Sequence, residues 1–221
     1  TNGLIDLSYS GSVYALMASS PSGTEALWQG TCDYANSCGL KISGSLALVR
    51  FSNGIATFDN LMIKTAGIGY KLKFTLKDSG GSDIAFAFSD EFDVYLGNMF
   101  KMFLAQQVGT ATGGTPFTPN PRIIITDRGS NVLPLNTGTV MVTMHKSPQE
   151  GIKLHPDALR TLPILDGVAA FGLLYINEAG GPYQLRFECS LKVNGAFLPY
   201  VYSNEFYISI GVPAQLTFAA G

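Results

Sequence analysis

The sequence predicts an all-β protein made of two tandem β-sandwich domains, and three observations lead to that prediction. The 221 residues include 25 glycines and 11 prolines, a proportion that is typical of turn-rich β proteins. Apolar and polar residues alternate over short segments, and no segment keeps a helical period across three turns. One stretch of the sequence also recurs, which indicates two copies of the same domain.

The repeat is clearest where residues 53–74 read NGIATFDNLMIKTAGIGYKLKF and residues 166–187 read DGVAAFGLLYINEAGGPYQLRF. Ten apolar, glycine or tyrosine positions coincide at a constant offset of 113 without a gap. The correspondence continues at an offset of 114, which relates residues 89–92 to residues 203–206. A gap-free match of this length predicts that both copies fold in the same way.

The domain boundaries follow from a change in the offset. Residues 10–21 lie over residues 137–148 at an offset of 127, so the first copy carries 14 extra residues. We place this cysteine-bearing insertion within residues 18–50. The predicted organisation is a first domain at 1–97 that lacks its first strands, an interdomain strand and linker at 98–120, and a second domain at 121–221 with an extra C-terminal strand at 212–221.

Strands are predicted within each copy from turns and alternation. The dipeptides Asn53-Gly54 and Asp166-Gly167 are typical of tight turns, and each precedes a period-2 segment. In the first copy this segment covers residues 55–60. Further along, one face carries Leu72, Phe74 and Leu76, and its counterpart in the second copy carries Leu185, Phe187 and Cys189.

With these motifs in view, the chain resembles the tandem bacterial-type Ig-like repeats of large surface and adhesion proteins. The pattern D-G-x-A-x-F-x-x-L-x-I-x-x-A-G-x-x-Y-x-L-x-F is usual in such repeats, and residues 97–133 resemble their repeat-to-repeat connection. Tyr70 and Tyr183 have the placement of the tyrosine corner of Ig-like sandwiches. The resemblance implies an extracellular or cell-surface location and a structural or adhesive role.

The repeat also predicts an unequal number of strands in the two copies. The second copy opens with strands at Phe100–Gln107 and Arg122–Thr126, and the first copy lacks both counterparts. Residues 211–221, in contrast, repeat residues 97–107 at an offset of 114. An open sheet edge with unpaired backbone groups accepts a strand from another chain.

We therefore predict a structural subunit of an extracellular fibril or pilus-like filament, in which protomers join head to tail by donor-strand complementation. The chain's partner is then another copy of itself. The candidate donor residues are Ala214, Leu216 and Phe218, and an alternative donor strand contains Leu4, Ile5, Leu7 and Tyr9. The alternative function is a two-repeat fragment of a cell-surface adhesin with a glycan ligand, for which the candidate aromatic residues are Trp28, Tyr200 and Tyr202.

Three cysteines and a group of threonines predict covalent features. Cys32 and Cys38 are six positions apart, which predicts a disulfide that closes a short loop in an oxidising compartment. Cys189 takes the inward position of Leu76 and is predicted to be a free, buried thiol. The candidate O-glycosylation sites are Thr110, Thr112, Thr115 and Thr118, which alternate with glycine and proline.

Composition and spacing argue against several function classes. A net charge of −2, with only 14% charged residues, argues against a nucleic-acid-binding surface, and no apolar run reaches the roughly 18 residues of a membrane span. His145 and His155 lack the spacing of a metal site or a catalytic site, so we predict no enzyme activity, no catalytic or metal-binding residue and no cofactor. The best carboxylate grouping, Asp90, Glu91 and Asp93, leaves calcium binding as an alternative to a solvated strand edge, with Asp127 as a further ligand.

Overall fold

The computed structural model describes residues 11–32, 38–41 and 48–211, with side chains described at 11–30 and 48–211. The described residues form strands and turns without a helix, so the chain is all-β. The strands are β1 (Ser12–Ser19), β2 (Leu27–Cys32), β3 (Cys38–Lys41), β4 (Leu48–Arg50), β5 (Leu61–Ile63), β6 (Gly67–Lys77), β7 (Asp83–Phe88), β8 (Phe92–Val94), β9 (Met99–Gln106), β10 (Ala111–Thr112), β11 (Arg122–Asp127), β12 (Thr139–Lys146), β13 (Thr161–Pro163), β14 (Val168–Ala170), β15 (Gly180–Cys189), β16 (Lys192–Val193), β17 (Ala196–Phe197), β18 (Val201–Tyr202) and β19 (Phe206–Ser209).

The chain divides into two compact units. The first contains the described residues up to Gly97 together with Arg128–Asn131, and the second contains Asn98–Asp127 and the described residues from Val132 onward. Residues 98–120, which are predicted to form an interdomain strand and linker, belong to the second unit. Within them, β9 pairs with β11, β10 pairs with β19, and Phe117 is fully buried.

Each unit contains two principal sheets. In the first unit, one sheet has the order β4-β1-β6-β7, with β8 also paired to β6, and the other has the order β3-β2-β5. In the second unit, one sheet has the order β10-β19-β15-β12-β13, with β18 also paired to β15, and the other has the order β14-β11-β9. A short β16-β17 hairpin completes the second unit.

The two predicted turn dipeptides form equivalent two-residue turns. Asn53 and Gly54 have φ values of 52° and 71°, and Asp166 and Gly167 have values of 48° and 76°. Positive φ at both central residues is the requirement of a type I′ turn, which asparagine, aspartate and glycine meet at low cost. Each turn is closed by an isolated antiparallel bridge, Ser52 to Ile55 and Leu165 to Val168.

The strand registers of the two units repeat at the offsets found in the sequence. Val13 lies opposite Leu76 in β1 and β6, just as Val140 lies opposite Cys189 in β12 and β15. Both pairs of strands also carry a register shift at the same place, after Met17 in β1 and after the corresponding methionine, Met144, in β12. The repeated sequence therefore specifies a repeated pattern of hydrogen bonds.

One predicted strand differs between the copies. In the second unit β14 forms at Val168–Ala170 and pairs with β11. In the first unit the corresponding residues continue from the bridge at Ile55 without forming a strand. A strand needs a hydrogen-bonded neighbour, and no described strand of the first unit lies beside residues 55–57 as β11 lies beside β14.

Candidate functional site

The inner face of the first unit is the candidate site, because matched core positions are less buried there than in the second unit. In the second unit these positions are at most 2% exposed, at Ala169, Phe171, Leu174, Ile176, Leu185 and Phe187. Their counterparts in the first unit are all only partly buried, namely Ala56, Phe58, Leu61, Ile63, Leu72 and Phe74. The same apolar sequence therefore leaves part of its core surface uncovered in the first unit.

In the second unit two additional strands cover this face. Ala169 lies opposite Ile123 in β11, and Ile123 lies opposite Leu104 in β9, so the three residues form one inward-facing row across the sheet. All three are buried, at 1%, 0% and 6% exposure. Strands β9 and β11 are thus the elements whose counterparts are predicted to be missing from the first copy.

The insertion covers only part of the corresponding surface in the first unit. Its strand β2 pairs with β5 and brings Leu27, which is 3% exposed, opposite Ile63. Among the described residues of this unit, no strand pairs beside residues 55–57, and Ile55 remains 56% exposed. This open position is the candidate acceptor for a further strand.

The candidate donor residues Ala214, Leu216 and Phe218 lie outside the described residues, as do the alternative donors Leu4, Ile5, Leu7 and Tyr9. The segment that residues 211–221 repeat is nevertheless described. Its strand β9 buries Met102 and Leu104, at 5% and 6% exposure, whereas Phe103 between them is 51% exposed. At an offset of 114, Leu216 and Phe218 correspond to the two buried positions and Thr217 to the exposed one.

Both tyrosines that are predicted to form tyrosine corners donate a hydrogen bond to the backbone carbonyl of the residue five positions earlier. The Tyr70 hydroxyl donates to the Thr65 carbonyl at 2.8 Å, and the Tyr183 hydroxyl donates to the Glu178 carbonyl at 3.0 Å. Burial raises the pKa of both tyrosines, with a further contribution from a nearby carboxylate in each unit. These two residues hold equivalent turns and form no part of an open site.

The structure describes the side chain of Cys189, whereas for Cys32 and Cys38 it describes only the backbone. The backbones of Cys32 and Cys38 are paired between β2 and β3, and their side chains lie outside the described ones, so the disulfide stays a prediction. Cys189 is a free, buried thiol, as predicted. Burial raises its pKa, while a hydrogen bond from the Leu191 backbone amide opposes that shift.

Trp28, the single tryptophan of the chain, lines a pocket of about 430 Å³ in the first unit. Lys64 places its ammonium 3.2 Å from the centroid of the Trp28 ring, and burial lowers the pKa of that lysine. Glu25, at the same pocket, accepts backbone hydrogen bonds from Ser22 and Thr24. Because Lys64 covers one face of the indole, that face is closed to a stacking ligand.

The three aromatic residues proposed to line a glycan platform do not share a unit. Trp28 lies in the first unit, and Tyr200 and Tyr202 lie in the second, where they are 47% and 41% exposed. Arg186 lies over the Tyr200 ring at 4.7 Å, and His145 packs against Tyr202 with ring centroids 4.6 Å apart.

Both histidines and one carboxylate of the predicted cluster, Asp93, have partners within their own unit. His155 stacks on Tyr175 with centroids 4.3 Å apart, and its Nδ1 accepts the Asp157 amide proton. Asp93 accepts the Gly69 amide proton at 3.0 Å. In residues 11–30 and 48–211 no three histidine, cysteine or acidic side chains are grouped as metal ligands. The same part of the chain contains no helix that is long and apolar enough to cross a membrane.

The candidate glycosylated threonines lie in the second unit. Thr110, Thr115 and Thr118 are exposed, and Thr112 is partly buried. The Thr115 hydroxyl donates to the Thr112 carbonyl at 2.8 Å, and Thr110 and Thr118 form an isolated bridge. The exposed hydroxyls are accessible, but that of Thr115 is already used in the turn.

No family model matches the chain, and no curated protein matches it. What the protein does must therefore be inferred from its own residues.

Sequence reasoning missed one feature that both units share. Phe86 and Phe88 occupy the positions of Tyr200 and Tyr202, and Lys73 occupies the position of Arg186. The Lys73 ammonium lies 4.7 Å from the Phe86 centroid, the distance that separates the Arg186 guanidinium from the Tyr200 ring. The alternation in residues 84–88, extended by the offset of 114, contained the signal that could have revealed it.

Proposed function

We propose that this chain is a pair of Ig-like domains that serves as a structural subunit of an extracellular filament. In this proposal residues 212–221 of one copy add a strand to the first unit of the next copy, beside residues 55–57. The contact is head to tail, and a repeated contact of this kind that does not close produces a filament.

One observation carries the proposal: equivalent core positions are buried in the second unit and only partly buried in the first. Phe171, for example, is 2% exposed, whereas its counterpart Phe58 is only partly buried. Each Å² of apolar surface removed from water contributes roughly 25 cal/mol, so covering this face favours association. Main-chain hydrogen bonds of the added strand satisfy backbone groups beside Ile55 at the same time.

The donor segment is supported by its correspondence to β9. Leu216 and Phe218 match Met102 and Leu104, which point into the core of the second unit. The segment contains no charged residue between Gly211 and Gly221, so burying it carries no charge-desolvation cost. The extracellular location rests on the predicted disulfide between Cys32 and Cys38, whose backbones lie opposite each other in β2 and β3, because such a disulfide is typical of an oxidising compartment.

The experiment compares the sedimentation and negative-stain images of the full chain with those of two double variants. Leu216→Asp with Phe218→Asp places charges on the inward face of the donor segment, and Gln215→Asp with Thr217→Asp places the same charges on its outward face. We expect filaments from the wild-type chain and the second variant, and monomers from the first. A wild-type chain that remains monomeric, or equal assembly of both variants, would contradict the proposal.

The adhesin alternative predicts a different result from the same samples. A repeat pair from an adhesin remains monomeric and binds glycans through exposed side chains, whereas the filament subunit assembles without any ligand.

A further inference from the structure

The outer face of the first unit carries two exposed aromatic side chains on an edge strand. Phe86 and Phe88 of β7 are 63% and 51% exposed, and their rings meet edge to face with centroids 5.5 Å apart. Among the strands that the structure describes, β7 is the last of its sheet. An exposed apolar patch of this kind is typical of an interaction surface.

Lysines of the neighbouring strand β6 surround this pair. The Lys73 ammonium lies 4.7 Å from the Phe86 centroid, and the Lys71 ammonium lies 5.7 Å from the Phe88 centroid. Neither lysine forms an ion pair with a carboxylate in the described part of the chain. This face therefore combines exposed rings with positive charges that are available to an anion.

The second unit provides a comparison within the same molecule. Tyr200 and Tyr202 occupy the equivalent positions, and Arg186 lies over Tyr200. There the arginine lies 3.9 Å from a carboxylate oxygen of Glu188, so the positive charge has a partner within the unit. The aromatic pair is thus common to both units. Only in the first unit do the neighbouring cations, Lys71 and Lys73, lie outside any close ion pair, with Lys73 acting on Asp83 at longer range.

We propose that the Phe86–Phe88 face of the first unit binds an acidic polysaccharide. The C–H face of a sugar ring packs on an aromatic ring, and the carboxylate or sulfate groups of the chain bind Lys71 and Lys73 through charge-assisted hydrogen bonds. The charge complementarity favours an acidic polymer over a neutral one. An exposed strand edge also suits an extended polymer better than a compact ligand.

The experiment is affinity electrophoresis of the full chain in gels that contain dextran sulfate or unmodified dextran. All samples carry Leu216→Asp with Phe218→Asp, so that they enter the gel as monomers, and wild type here means an unaltered Phe86–Phe88 face. We expect dextran sulfate to retard the wild-type chain and dextran to leave its mobility unchanged. Phe86→Ala with Phe88→Ala should weaken binding about tenfold, as expected for the loss of aromatic contacts worth about 1.4 kcal/mol. Lys71→Gln with Lys73→Gln should weaken it at least as much. The matched control, Tyr200→Ala with Tyr202→Ala in the second unit, should bind as the wild type does.

Other outcomes would overturn the proposal. Binding that depends on the lysines but not on the phenylalanines indicates simple ion exchange. Equal binding of single-stranded DNA, which also combines rings with anionic groups, indicates a different class of ligand. A change in sedimentation on loss of Phe86 and Phe88 indicates a contact between copies of the chain. The inference is independent of filament formation, because the Leu216→Asp, Phe218→Asp variant is expected to bind dextran sulfate normally.

Discussion

Tyr70 and Tyr183 make the same hydrogen bond in the two units. Each hydroxyl donates to the carbonyl oxygen five residues earlier, at 2.8 Å to Thr65 and at 3.0 Å to Glu178. Both tyrosines are completely buried. A repeated interaction between a buried side chain and the backbone shows that the internal repeat preserves tertiary geometry as well as residue type.

Replacing either tyrosine by phenylalanine should destabilise the unit that contains it. Tyr70→Phe and Tyr183→Phe each remove one hydrogen bond and leave a carbonyl oxygen without that donor, at a cost of about 1–2 kcal/mol. Urea unfolding followed by circular dichroism measures the loss. Tyr207→Phe, at a side chain that is 64% exposed, is the control and should leave stability unchanged. Wild-type stability in both corner variants would contradict the prediction.

Equivalent core phenylalanines should differ in what they contribute to the monomer. Phe171→Ala should cost about 3–5 kcal/mol, because it creates a cavity in a closed core. Phe58→Ala should cost less than half as much, since Phe58 already contacts solvent on one side. Chemical unfolding of the monomeric Leu216→Asp, Phe218→Asp chain gives both values. Equal losses would mean that the core of the first unit is closed.

Glu25 should make stability depend on pH in acid. A hydrogen bond from the Ser20 side chain is the largest cause that lowers the pKa of Glu25 from 4.5 to about 2. Burial opposes this shift, and further hydrogen bonds from the Ser22 side chain and from the Glu25 and Ser22 backbone add to it. A depressed pKa in the folded state means that the stabilisation is complete above the unfolded pKa and is lost as the pH falls toward about 2.

The test is the urea midpoint measured between pH 6 and about 2 for the wild type and for Glu25→Gln, the interval in which carboxylates titrate. The midpoint of the variant should fall less steeply with acid than that of the wild type. Glu91→Gln, at an exposed glutamate of the same unit, controls for the change in net charge. Parallel curves for the wild type and Glu25→Gln would count against a role for this carboxylate.

Thr75→Val should stabilise the first unit by about 1 kcal/mol, because it replaces a buried hydroxyl by a methyl group and keeps the branched shape of the side chain. Thr75 is 3% exposed, and its Oγ1 atom has no hydrogen-bond partner among the described residues. In the sheet, Thr75 of β6 lies opposite Tyr14 of β1 on one side and Phe86 of β7 on the other. Thermal unfolding measures the change, with the exposed Thr57→Val as control. A lower melting temperature for Thr75→Val would show that the hydroxyl is bonded.

Some features could be predicted from the sequence because they depend on neighbouring residues. The turns at Asn53-Gly54 and Asp166-Gly167 follow from local backbone preference. The inward face of β15 follows from alternation, which also predicted the burial of Cys189. The offsets of the repeat then located the equivalent registers in β6 and β15.

Other features depend on segments that are distant in the chain. Ser89 and Ser203 each accept an amide proton, from Leu72 and Leu185 respectively, and this bond appears only once the strands are paired. The position of Lys73 over Phe86 likewise requires β6 and β7 to be neighbours.

By itself the sequence determined an all-β chain with an internal repeat, because alternation, turn residues and self-similarity are all properties of residues close in order. Tertiary structure alone decided how completely each copy covers its own core. Phe58 and Phe171 are the same residue in the same motif, yet only Phe171 is enclosed, since burial depends on which strands pack above a residue and not on the motif around it.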